Sequence, residues 1–332
     1  MNRRVFMGSV ALGVFAMPRA TLAQPVRTVY RVGIFTSRSS TTELVGPQPQ
    51  DPAVNALLRG LRELGYVYGE HFVTEPRGGE GQLERFPDLA AELARLQVDV
   101  IVASGPVLPA LKQATSTIPV VMTGAADPVG QGFAESLGRP GRNFTGLSLQ
   151  LRETTAKRLE LLKELVPGPA PAAVLWDRQA GSLSWQAAEA AGRERGWKLL
   201  SLDIRNYAGE IEPAFKAATG ARADALLVIP VALFDKHAGR IVELAAKSRL
   251  PAMYPLRLYV EAGGLISYSA DYIEPWRRAA VFVDKIFKGA KPADLPIEQP
   301  TKYELVINKR AAKALGLKIP PSLLSRADQV VE

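Results

Sequence analysis

The feature that most constrains this chain is that it carries one pattern twice. Val98-Asp99-Val100-Ile101-Val102-Ala103 is answered by Ala223-Asp224-Ala225-Leu226-Leu227-Val228, each a continuous apolar run of the kind a parallel strand needs when helices cover both its faces. Around each run the same elements recur. VYRVGIFT at Val29–Thr36 is matched by AAVLW at Ala172–Trp176, and the first helix after each ends at a glycine and an aromatic, Gly65-Tyr66 and Gly196-Trp197. His71–Glu75 is matched by Lys198–Ile204, and a Pro-led strand closes each half, Ile118-Pro119-Val120-Val121 and Leu250-Pro251-Ala252-Met253. Two β-α-β-α-β-α-β units predict an α/β protein of two doubly wound, Rossmann-like lobes, because right-handed crossovers give parallel sheets with helices on both faces.

Between the copies lies Ile118 to Leu149. It reads as a strand (Pro119–Thr123), the loop Gly124-Ala125-Ala126-Asp127-Pro128, a short helix from Gly130 to Leu137, a turn at Pro140-Gly141-Arg142-Asn143 and a strand, Phe144–Leu149. A bridge between two such lobes stands at the mouth of a cleft, where ligands bind.

Elsewhere the expected helices are Asp51-capped Pro52 to about Leu64, Gln82–Leu96 with Pro87 delaying its regular start, Thr154–Leu165 and 183–195. The tail supplies a strand at Leu265–Ser269, a helix at Pro275–Phe287, an extended Pro-rich stretch from Lys291 to Thr301, a strand at Tyr303–Asn308 and a helix at Lys309–Leu315. The expected partition puts residues 29–148 and 265–292 in lobe 1, and residues 149–264 and 300–332 in lobe 2. The chain then crosses between lobes three times, which makes a multi-strand hinge rather than a tether.

Residues 1–23 read as a signal peptide instead of part of a lobe. Arg3-Arg4 opens it in twin-arginine fashion, Val5 to Met17 is too short to span a bilayer, and Thr21-Leu22-Ala23 offers a small-x-small cleavage site before Gln24. Export follows, and with no cysteine after the apolar run the mature protein is not a lipoprotein. Cleavage removes Arg3, Arg4 and Arg19, lowering the formal charge from +8 to +5. The remaining basic residues form no cluster interleaved with aromatics, which argues against nucleic acid as a partner. Zero cysteines exclude disulfides and thiolate chemistry.

Catalysis finds little footing. The chain has two histidines, His71 and His237, and no G-x-S-x-G elbow to partner either. No metal-ligand spacing appears, and the glycines of 60–69 and 138–146 lack the strand-before, helix-after frame of a dinucleotide fingerprint. The expectation is therefore no catalytic residue, no metal and no cofactor.

A binding protein fits better. The strand C-ends that face the cleft carry Thr36-Ser37, Ser104-Gly105-Pro106 and Thr123-Gly124 in the first lobe, with Asp127 just beyond. The second lobe brings Trp176-Asp177 and Pro230-Val231-Ala232. Small hydroxyls and free N–H groups ahead of helices at Thr36-Ser37 and Ser104-Gly105 suit a carboxylate, although each also reads as a simple cap. Trp176, Phe234 and Tyr254 offer apolar walls or core; Arg257 offers an anion partner or a solvated surface cation. Asp127 can take an ammonium or hydroxyl group, or simply make a turn.

IPVVMTGAADPVGQGFAESLGRPGRNFTGLSL, together with the last 80 or so residues from Leu250 onward, resembles the ABC transporter substrate-binding protein family that includes TrpX-like proteins. The resemblance runs over nearly the whole mature chain. It implies a periplasmic binding protein of type I fold that passes a small solute to an inner-membrane permease driven by a separate ATPase, with a ligand that differs among members. The helix N-termini and positive charge suggest a carboxylate, and Trp176, Phe234 and Tyr254 an aromatic or branched apolar tail, hence an amino acid or an aromatic or branched-chain acid. A monomer is expected. Trp176-Asp177 departs from the Asn-Pro usual at its place in the family, and the segment from Pro230 to Phe234 departs from an Asp-Pro-rich one. A receptor module feeding a signalling partner, or an exported hydrolase, is the alternative reading.

Overall fold

A computed structural model of the chain describes residues 29–168, 171–178, 181–205 and 207–332. The expected signal peptide lies outside the described residues.

The first lobe runs β1 (Tyr30–Thr36), α1 (Pro52–Glu63), β2 (Phe72–Gly78), α2 (Phe86–Arg95), β3 (Val100–Ala103), α3 (Leu108–Ala114), β4 (Val120–Ala125) and β5 (Phe144–Ser148). Its five strands are ordered β2-β1-β3-β4-β5 and are all parallel. Local chemistry sets the boundaries. Asp51 caps α1 by accepting from the N–H groups of Ala53 and Val54, both at 2.9 Å, with Pro52 in the first turn. Pro87 stands in the first turn of α2 as expected, after a single 3₁₀ turn at Leu83–Arg85.

The second lobe holds α4 (Leu151–Leu165), β6 (Ala172–Trp176), α5 (Ser182–Glu194), β7 (Leu199–Asp203), α6 (Tyr207–Gly220), β8 (Ala225–Val228), α7 (Ala232–Lys236), α8 (Ala238–Lys247), β9 (Ala252–Tyr254), α9 (Arg257–Glu261) and β10 (Ile266–Ala270). After α10 (Glu274–Phe287) come β11 (Tyr303–Asn308), α11 (Lys309–Leu315), α12 (Pro321–Arg326) and β12 (Gln329–Val331). The seven strands are ordered β12-β11-β10-β9-β8-β6-β7, with only the β10–β11 pair antiparallel. Each sheet has its own apolar core: one forms around β6, β8 and β9, and two smaller ones lie on the opposite faces of the first sheet.

Two expectations are corrected. The strand placed with lobe 1 pairs instead with β9 and β11, so β10 belongs to the second sheet. Only its helix goes back: α10 lays Trp276, Ala279, Ala280 and Val283 against Leu57 and Leu61 of α1. The chain then stays on the first lobe as far as Glu298, where Thr145 Oγ1 donates to Leu295 O (2.7 Å) and Ser148 N to Glu298 O (2.9 Å). The three crossings are therefore after β5, between β10 and α10, and before β11.

The second correction concerns Gly130 to Leu137, which forms turns and no helix. The Asp127 carboxylate accepts from Gly130 N at 2.8 Å, Phe133 N and Ala134 N both reach Pro128 O, and Gly132 takes φ +68°. A side chain that closes its own turn competes with the helical ladder, and here it wins.

Candidate functional site

Because the strands of the first sheet are all parallel, their C-terminal ends lie along one edge, and β6, β8, β9 and β10 do the same for the second sheet. The loops leaving those ends meet. Arg38, two residues past β1, places Nη2 2.7 Å from Oδ2 of Asp235 on α7. Lys236 Nζ donates to Glu80 O at 3.2 Å. Leu233 packs on Gly81, where a Cβ would lie 2.5 Å from Leu233 Cδ2. The interlobe cleft is thus bounded by the loops after β1 and β2 on one side and by α7 on the other.

Each charge of the cross-lobe pair is held by its own surroundings. Tyr259 donates its hydroxyl to Asp235 Oδ1 at 3.0 Å, and the Arg38 guanidinium lies 4.7 Å from the centroid of the Tyr272 ring. Tyr272 stands in the crossing between β10 and α10. Burial raises the Asp235 carboxyl above its usual range, partly opposed by Arg38 and by the Tyr259 hydrogen bond. Burial and then the partnership with Asp235 push the Tyr259 phenol up in turn.

The residues expected from sequence separate into three groups. Thr36, Ser37 and Ser104-Gly105-Pro106 stand at the cleft edge of the first lobe. Thr36 and Ser37 are nearly covered, the Thr36 hydroxyl has no hydrogen-bond partner, and Gly105 takes φ +64° with open space at its Cα. Pro230 follows β8 on the other side, and Asp177 follows β6, accepting from the Tyr207 hydroxyl. Tyr207 packs edge-on to Phe234 and stacks on His237, which joins α7 and α8 to the end of β6.

A second group holds structure. Thr123 donates to Ala103 O at 3.4 Å, Gly124 is covered by the side chain of Leu149, and Asp127 closes the turn described above. Gly146 opposite them, at φ +119°, is required: a Cβ there would sit 2.2 Å from Met122 O, beside the bulge between β4 and β5.

The third group is turned away from the cleft or into the core. Trp176 stacks on Trp185 and donates to Ser201 Oγ at 2.7 Å, Phe234 is fully buried, and Tyr254 stacks on Tyr259 against Gly264. All three belong to the second lobe's core, so the apolar wall expected of them is a packing surface. Arg257 pairs with Glu261 (2.7 Å) and Glu304 (2.8 Å). It lines a groove of about 620 Å³ beside α8, α9 and α11 rather than the cleft. Arg38, Asp235, Tyr259 and Tyr272 were absent from the sequence reading. Arg38 directly follows Thr36-Ser37 and Asp235 directly follows Phe234, but adjacency does not reveal a partner 197 residues away.

The hinge is built on the same side of the second lobe. Gln150 takes φ +47° at the first crossing and accepts from the Tyr303 hydroxyl at the third, 2.8 Å away. Tyr303 stacks on Tyr268, whose carbonyl accepts from Arg158 Nε at 2.7 Å; Nη2 of the same arginine reaches Pro255 O at 3.2 Å. Burial pulls the Arg158 guanidinium down to about 10.

Residues 42–331 match the family described as ABC transporter substrate binding protein. The chain belongs to that family. Among solved structures it is similar to a conserved domain protein from Vibrio cholerae, at 27% identity and a TM-score of 0.79 over 91% of this chain and all of the other. It is also similar to a Streptococcus pneumonia ABC domain in complex with L-Trp, at 25% identity and a TM-score of 0.78 over 92% of this chain and all of that one. A tyrosine-binding protein of Clostridioides difficile is 24% identical over 280 residues, 83% of this chain and 80% of the relative. The fold is that of type I periplasmic binding proteins, and the family's work is solute binding, not catalysis. Among the described residues, no helix is long and apolar enough to cross a membrane.

Proposed function

We propose that this protein is the extracytoplasmic receptor of an ABC importer, capturing a small carboxylate-bearing solute between its lobes and handing it to the permease. The observation that carries this reading is the meeting of the two sheets' strand C-ends across one cleft, bridged by Arg38 and Asp235, in a chain of this family. The carboxylate is taken by the first lobe, where Ser37 and Ser104 bring hydroxyls and Gly105 leaves its backbone open. Relatives named for tyrosine binding and solved with L-Trp favour an amino acid, and aromatic or branched-chain acids share the carboxylate. No bond is made or broken in this cycle. Residues 1–23 direct export and are removed, and the mature chain acts as a monomer.

A thermal-shift screen of the mature protein against amino acids, aromatic acids, branched-chain acids and neutral sugars tests the reading, since a ligand that binds only the folded state raises Tm by mass action. A rise with at least one carboxylate is expected. A rise with a neutral sugar and none with any carboxylate would show the seat to be misassigned.

A further inference from the structure

We infer that Arg38 and Asp235 form an interlobe latch that positions the second lobe over the solute and sets how much of the protein is closed before any solute arrives. The inference rests on the two-lobed capture proposed above. It starts from where the pair sits: one partner is on the loop after β1, the other on α7, so the 2.7 Å contact exists only when the lobes meet. It is not an ordinary surface ion pair. The side chains of Arg38 and Asp235 are 30% and 8% exposed, and each is pre-set by a neighbour. Tyr259 fixes one carboxylate oxygen and the Tyr272 ring carries the guanidinium, so little side-chain freedom remains to be lost on closing.

The partners of the pair give it a second property. Tyr272, whose ring the Arg38 guanidinium overlies, belongs to the crossing between β10 and α10. Arg38 therefore touches the hinge through Tyr272 and the opposite lobe through Asp235. Two further cross-lobe contacts, Lys236 with Glu80 O and Leu233 on Gly81, flank the pair. Arg38 and Asp235 are thus positioning residues: they hold the lobes, and apparent affinity follows the closed fraction they maintain.

The chain has no cysteine, so Glu84→Cys in the first lobe and Lys216→Cys in the second, both exposed, accept spin labels at those two sites alone. Interlobe distance distributions are then measured by pulsed electron paramagnetic resonance without solute. The labelled protein is expected to populate the lobe-to-lobe distance of this structure. Arg38→Gln and Asp235→Asn should each lower that population about five- to tenfold, and the exchange Arg38→Asp with Asp235→Arg should restore it. Arg38→Lys, which keeps charge without the planar stack, should fall between. Circular dichroism melts identify any variant that misfolds, and the exchange and lysine variants then decide. Single variants that keep the parent distribution, or an exchange variant that stays open while folded, overturn the latch. A solute screen that fails while these distances shift as expected faults the functional reading and leaves the latch standing.

Discussion

Gly60→Ala is the substitution whose outcome runs most clearly against local expectation. Gly60 is inside α1, where alanine is the better helix former by roughly 1 kcal/mol. A Cβ there would lie 2.8 Å from Ala280 Cβ and 2.8 Å from Arg277 O, both on α10. Ordinary contacts start near 3.4 Å, so α10 must retreat by roughly half an ångström or more, and a backbone carbonyl has no rotamer by which to yield. Overpacking of this kind costs roughly 1–3 kcal/mol. Because the carbonyl cannot yield, the upper half of that range applies, and with the propensity gain subtracted a loss of about 1–2 kcal/mol remains, or roughly 1.5–3 °C in Tm for a protein of this size. Gly239→Ala in α8 is the control, because nothing lies within 4 Å of its Cβ and the same exchange should hold or raise Tm. Since α10 is strung between two of the three crossings, only the Gly60 variant should also change solute affinity. Differential scanning calorimetry of both variants decides the stability part. A Gly60 variant that melts at or above the parent would refute the close-contact reasoning.

Three further outcomes follow from the cleft. Ser104→Ala should weaken binding of the solute found by the screen about tenfold while leaving Tm within a degree or two, measured by titration calorimetry; an unchanged Kd removes Ser104 from the seat. Arg257→Ala should leave affinity within twofold, since Glu261 and Glu304 already hold that guanidinium on the surface, and a large loss would return Arg257 to the site. Asp235 carries a pH signature. Burial raises its folded pKa above that of the unfolded chain, so the folded state binds the extra proton and stability from this group increases as pH falls from the raised value toward about 3.9. Asp235→Asn removes that increment, so the Tm of the parent minus that of the variant should grow on acidification; a flat difference between pH 7 and 4 rules it out.

Much of the fold was legible because buried parallel strands announce themselves: Val100–Ala103 and Ala225–Val228 are apolar at every position and could be nothing half-exposed. The β10 strand was not assignable in the same way. Its sequence, ISYSA, states that it alternates, but not which sheet edge it joins, and the decisive pairing is with β11 more than 30 residues later. The loop after β4 failed for a different reason. Val129, Phe133 and Leu137 have helical spacing, yet one carboxylate and one glycine at positive φ decide the backbone, and periodicity does not register them. α12 and β12 were missed because six- and three-residue elements bury too little to leave a pattern.

The candidate site divides along the same physical line. Strand ends could be counted from the sequence, so the positions of Ser37 and Ser104 just past β1 and β3 were legible. Side-chain direction could not be read: Trp176, Phe234 and Tyr254 sit at or near strand ends but point into the core, because an aromatic at such a position gains more from packing than from lining a wet gap. Arg38 and Asp235 were invisible for a third reason. Their contact is a property of how two separately folded lobes meet, and no local segment of either lobe encodes it. The residues that make this fold a capture device rather than two adjoining sheets are therefore those whose partners lie across the gap, and the loops after β1 and β2 together with α7 are where substitutions should separate affinity from stability.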